Sequence, residues 1–187
     1  MNTATCPLPT GRCADTEFRL AIYEAGHALT ARALELKIIS VQMLPRPPML
    51  VSEKRVSGNK IGPLVQTLEN RVIELFGGQI AETEACSASS CCSGDVSRID
   101  ELTRLIVGLS GKGDPESVWF ELEDVAESIF QDKGYRDAII PIAEFLHQRV
   151  LDGWDIIDGA DLEAELDKYV PKTPKMGGLK KFLSFGA

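Results

Sequence analysis

A mainly α-helical domain with one short β-strand or hairpin is the fold class that this sequence predicts. Three observations lead there. Apolar residues recur three and four apart over most of the chain; only one stretch, residues 38–44, is rich in β-branched residues; and 187 residues with 44% hydrophobic and 26% charged content are enough to bury one sizeable core.

Element by element, Asp15 or Thr16 caps a helix running to about Leu36, with Phe18, Ile22, Leu29 and Leu36 on its apolar side. Ile38 to Leu44 reads as a strand, ended by Pro45, Pro47 and Pro48. A polar loop or hairpin remnant leads to Gly62, and a helix follows from Pro63 to Glu84 on the spacing of Leu64, Leu68, Val72, Leu75 and Phe76. Gly77-Gly78 costs that helix propensity, about 1 kcal/mol for each glycine, and so implies a kink or close packing against another backbone. After a Ser/Cys-rich loop come helices from about Asp95 to Leu109, from the Asp114-Pro115-Glu116 cap to Lys133, and from Tyr135 to Leu151. A short helix opened by Asp158 or Asp161 ends near Tyr169. The expected organisation is a flexible leader over 1–14, one domain over 15–169 and a flexible basic tail over 170–187, whose Pro171, Pro174, Gly177 and Gly178 discourage regular structure.

Charge and cysteine usage narrow the function classes. A net charge of −8 argues against nucleic acid as a partner, because phosphate backbones demand a basic face. No apolar run is long enough to span a bilayer and no signal-peptide pattern opens the chain, so the expectation is a cytoplasmic protein without a transmembrane segment. Five cysteines, an odd number, argue against a complete disulfide framework and favour free thiols. Cys6 and Cys13 fall in the leader; Cys86, Cys91 and Cys92 fall in the loop before Asp95, where a thiolate is a conceivable zinc ligand.

The chemistry-bearing segment is Tyr23-Glu24-Ala25-Gly26-His27, which is the zinc-protease pattern His-Glu-x-x-His with Tyr23 at its first histidine. Two histidines four apart share one helix face and reach one Zn²⁺, and the glutamate beside the first takes a proton from water that the metal has acidified from about 15.7 to about 7. A phenol, with a pKa of about 10, must lose its proton before it binds metal well. The bland alternative is an amphipathic helix in which Glu24 is solvated or paired with an arginine, His27 is hydrogen-bonded in the core and Asp95 caps its own helix.

Several segments in the same order resemble the peptidase domain of the FtsH-type ATP-dependent zinc metallopeptidases. Beyond Tyr23 to Ala28, the run Leu75-Phe76-Gly77-Gly78-Gln79-Ile80-Ala81-Glu82 is similar to that family's Gly-Gly-Arg-Ala-Ala-Glu helix. Ser93-Gly94-Asp95-Val96-Ser97-Arg98 resembles its Gly-x-x-Asn-Asp-Leu-x-Arg segment, and Ile142 to Gly153 resembles the end of the domain. Together these cover roughly residues 16 to 168. The resemblance implies a helical peptidase domain with Glu24 as general base, His27 and Asp95 as metal ligands, Tyr23 at the lost histidine, and the 38–44 strand as the edge that holds an extended substrate. The family's membrane anchor and its Gly-x-x-x-x-Gly-Lys-Ser/Thr ATPase loop have no counterpart in this sequence.

Two readings follow. In the first, the chain is a non-catalytic or impaired metallopeptidase homologue serving as a binding or regulatory module for a peptide or protein partner, with zinc weakly held or absent. In the second, it is an active zinc metallopeptidase of unfolded peptides whose ligand set is completed by the Tyr23 phenolate, by Cys91 or Cys92, or by His147.

Overall fold

The computed structural model describes residues 11–172 apart from 55, 57, 59, 90–92 and 112. Six helices and a small antiparallel sheet make up the described residues, so the mainly helical fold class with a short hairpin holds. The helices are α1 (Thr16–Ala33), α2 (Ile61–Cys86), α3 (Ser93–Ser110), α4 (Pro115–Gln131), α5 (Lys133–Leu151) and α6 (Gly159–Tyr169). No helix among them is long and apolar enough to cross a membrane.

Capping carboxylates set the boundaries. Asp15 accepts from the amides of Glu17 and Phe18, Asp114 from Glu116 and Ser117, Asp132 from Gly134, and Asp158 from Ala160. Each satisfies orphan N–H donors at the positive end of its helix. Asp132 thereby ends α4 and opens α5 in one residue. At its other end α1 stops at Ala33, a turn short of the expected Leu36, because Glu35 takes a positive φ of 57°.

The sheet holds the main departure from expectation. Its order is β2–β1–β3, with β1 (Ile38–Gln42) between β2 (Met49–Ser52) and β3 (Ile156–Asp158). Val41 pairs with Leu50 on one side and Ile157 on the other. The expected edge strand is therefore the centre, and the open edges belong to β2 and β3. Strands of three and four residues carry too little alternation to announce themselves in sequence. Their inward residues Val41, Leu50 and Ile157 join the core, while Met49 and Ile156 face outward.

The core is organised by α1, which is buried over nearly its whole length and packs on α2 and α5. Glycines let the first pair come into backbone contact. A Cβ at Gly26 would lie 2.2 Å from the Gly77 carbonyl oxygen, and one at Gly77 would lie 2.1 Å from Thr30 Oγ1 and 2.7 Å from the Gly26 carbonyl oxygen. Of the two roles open to Gly77-Gly78, close packing is the one observed.

A second departure concerns the cysteines. Helix α2 runs two residues past the expected Glu84, which carries Cys86 out of the loop and beside a 3-10 turn at Arg12–Ala14. Cys86 is bonded there to Cys13, with Cα atoms 5.7 Å apart, so neither is the free thiol expected. The last residues of the expected leader are thus fixed, with Arg12 also lying over the Phe18 ring at 3.6 Å and paired with Glu144 at 2.6 Å. Cys6, Cys91, Cys92 and the tail over 173–187 lie outside the described residues.

Three stability measurements follow. Gly77→Ala should destabilise the fold by roughly 3 kcal/mol in urea denaturation, because overpacking meets backbone at Gly26. Gly108→Ala, in α3 with nothing within 4 Å of the added Cβ, should instead stabilise by about 0.5 kcal/mol. Cys86→Ser should cost about 2–4 kcal/mol against the oxidised protein, and the difference should vanish when both are measured in reductant.

Candidate functional site

Tyr23 and His27 occupy one face of α1, four residues and one turn apart, with rings edge to face at 4.8 Å between centroids. Gly78 makes room for both: a Cβ there would stand 2.7 Å from Tyr23 Cε1 and from His27 Cε1. Asp95 arrives from the first turn of α3. Its Oδ2 accepts a 2.6 Å hydrogen bond from the Tyr23 hydroxyl and lies 3.3 Å from His27 Nε2. The sequence-predicted residues Tyr23, His27 and Asp95 are therefore brought together, and one carboxylate oxygen faces both partners.

The second nitrogen of His27, Nδ1, stands 2.8 Å from the backbone carbonyl oxygen of Glu74, to which a protonated Nδ1 donates. This fixes the ring and turns Nε2 toward Asp95. The Glu74 carboxylate in turn accepts from Ser52 Oγ at 2.9 Å and from Arg71 Nη1 at 2.8 Å. A further network holds the segment before α3: buried Glu82 accepts from Arg19 Nε at 2.7 Å and from Ser89 Oγ at 2.7 Å, while Arg19 also donates to the Ala88 carbonyl. Neither support was read from the sequence. The Glu74 contact is made by a backbone carbonyl and has no side-chain signature, but Glu82 stands in the Gly-Gly helix segment, where an acidic residue on a buried face was a usable signal.

Glu24 is 2% exposed, not solvated. Burial raises its pKa from 4.5 to about 7, opposed by His27 and by the Leu50 amide and assisted by the charge of Asp95; Oε2 has no hydrogen-bond partner. For His27, burial alone would lower the pKa, but the Asp95 hydrogen bond and the charges of Glu24 and Asp95 win and raise it to about 9. Burial likewise opposes ionisation of Asp95, and the hydrogen bonds from His27 and Tyr23 still hold its pKa below the usual value. The cluster is electrostatically coherent as an imidazolium–carboxylate pair with a phenol donor.

Catalytic zinc takes three protein ligands and keeps an open position. Among the described residues no group of three His, Cys, Asp or Glu side chains stands together as such a set. The donor set here is one imidazole, one carboxylate and a phenol whose proton is engaged by that carboxylate. Among the described residues it falls one ligand short. His147, a conceivable replacement, packs instead against Phe18 at 5.5 Å and faces Asp15 at 3.9 Å.

A cleft of about 840 Å³ opens over this cluster. Its walls are Tyr23, Glu24, His27 and Leu20 of α1, Arg71 and Leu75 of α2, Gly94, Asp95 and Arg98 around α3, and Gln42 and Pro47 to Leu50 beside the sheet. Strand β2 thus supplies the open edge that the sequence assigned to β1. No protein-family model matches the chain, and no curated protein matches its sequence.

The titrations have measurable signs. Because the folded state holds the Glu24 proton up to about pH 7 and the unfolded chain releases it near 4.5, Glu24 subtracts stability progressively between these values. Glu24→Gln should therefore be more stable than the parent above pH 7, on the order of 2 kcal/mol, with the gain fading below pH 4.5. His27 makes stability fall with pH in the same direction, in a higher window: its favourable contribution is complete below 6.5 and is lost as pH rises through about 9, so in metal-free protein ¹⁵N shifts should show the imidazolium persisting beyond 6.5.

Proposed function

We propose that this chain is a peptide-binding module on an FtsH-peptidase-like frame, in which the metal-ligand positions have become a hydrogen-bonded cluster at the floor of the cleft. The reading rests on the Tyr23 hydroxyl at 2.6 Å from Asp95 Oδ2. That contact engages the carboxylate a metal would need, and the phenol retains its proton in making it. The occupant is an extended segment of a peptide or protein that adds to the free edge of β2, where main-chain pairing supplies affinity and Leu20, Leu75 and Met49 offer apolar contacts. Helix α1 supplies Tyr23, Glu24 and His27 of the cluster, and tethering of its N-terminal turn depends on compartment: the cytoplasm expected from the sequence would keep Cys13 and Cys86 reduced.

A second reading, a zinc metallopeptidase with an unusual ligand set, draws support from Glu24. A buried carboxyl with pKa about 7 and an unpartnered Oε2 has the poise of a general base.

Zinc analysis separates them. The binding-module reading expects chelator-free protein to retain far less than one equivalent of zinc and to leave casein intact, whereas Tyr23→His should raise zinc retention toward stoichiometric by restoring a third ligand. Stoichiometric zinc in the parent, with casein cleavage abolished by Glu24→Gln, would establish the peptidase instead.

A further inference from the structure

Fixed charge is distributed unevenly between the cleft and the rest of the chain. The protein carries 28 acidic and 20 basic side chains, yet the charged cleft residues beyond the floor cluster of Glu24, His27 and Asp95 are both arginines, Arg71 and Arg98. The two acidic residues of the floor are committed inward. Glu24 is 2% exposed, and Asp95 Oδ2 is engaged by Tyr23 and faces His27.

The arginines keep donors for a ligand. Arg71 spends Nη1 on Glu74, and Arg98 spends Nη1 on Glu101 at 2.9 Å, leaving the Nε–Nη2 side of each guanidinium without a hydrogen-bond partner among the described residues. Arg98 stands three residues after Asp95, on the same face of α3, and Arg71 comes from α2. Lys54, just beyond β2, is close enough that both arginines, after burial, depress its pKa, which marks a local crowding of cations.

We infer that the peptide seated in this cleft is acidic, with a Glu or Asp side chain that reaches Arg71 and Arg98 as its main chain follows β2. A guanidinium with a free fork binds a carboxylate bidentately, and two of them beside a groove walled by Leu20, Pro47, Pro48 and Leu75 select alternating apolar and acidic side chains. Long-range repulsion between an acidic peptide and a protein of net charge −8 is screened within roughly 10 Å, whereas the arginine contacts are local. The inference rests on the peptide-binding reading of the cleft.

Fluorescence anisotropy with three labelled peptides tests it, the peptides sharing an apolar framework and differing only in carrying Glu, Gln or Lys at alternate positions. The Glu peptide should bind about tenfold more tightly than the Gln peptide, and the Lys peptide most weakly. Arg98→Gln, at a side chain 60% exposed and so harmless to folding, should remove most of the Glu peptide's advantage over the Gln peptide. Equal binding of all three peptides would overturn the acidic preference while keeping the peptide-binding reading. A Glu preference that survives Arg98→Gln and Arg71→Gln together would overturn the assignment to this cleft wall, and absence of binding by every peptide would overturn the peptide-binding reading itself.

Discussion

Everything at the cleft depends on how closely α1 and α2 approach. With Gly26 and Gly77 meeting backbone to backbone, the two helices pack more tightly than side chains would allow. That proximity places the Glu74 carbonyl within 2.8 Å of His27 Nδ1 and leaves the space at Gly78 for the Tyr23 and His27 rings. Dispersion contacts along such a seam are individually small and collectively large, and they need no polar compensation. The polar cluster is therefore held by an apolar constraint beneath it.

That constraint also accounts for the unusual ionisation at the floor of the cleft. A carboxyl enclosed like Glu24 keeps its proton because water is excluded by Leu75, Leu50 and the seam itself, while an imidazole in the same enclosure keeps its own because Asp95 is adjacent. Opposite responses to one environment arise from the different partners each group has. The segment bringing Asp95 is pinned by Arg19 and Glu82, so the geometry of the cluster is shared between three helices rather than owned by the motif helix.

The helices were largely legible because their signals are local. Asp15, Asp114 and Asp158 announce starts through capping, and the apolar spacing of α2 and α5 persists for many turns. The candidate site was legible to the extent that spacing on one helix and a short downstream segment can express it: Tyr23, Glu24, His27 and Asp95 do converge. What stayed hidden is tertiary in origin. Neither β2 nor β3 is long enough to show a period, the central place of β1 depends on a strand more than a hundred residues away, and Cys13 finds Cys86 only once α1 and α2 are packed. The cations of the cleft wall look in sequence like ordinary solvated helix residues.

Glu74 joins three parts of the molecule through one residue. Its carbonyl orients His27, its carboxylate anchors Ser52 at the end of β2, and that same carboxylate holds Arg71 in the cleft wall. A ligand that draws Arg71 toward itself competes with the buried Glu74 carboxylate for the guanidinium, and that carboxylate must then lean more heavily on Ser52 or shift within α2. Either response alters the position of the strand edge or of the histidine. By reciprocity, whatever moves the strand changes how firmly the arginine is available, so occupancy of the wall and the geometry of the floor share a coupling free energy.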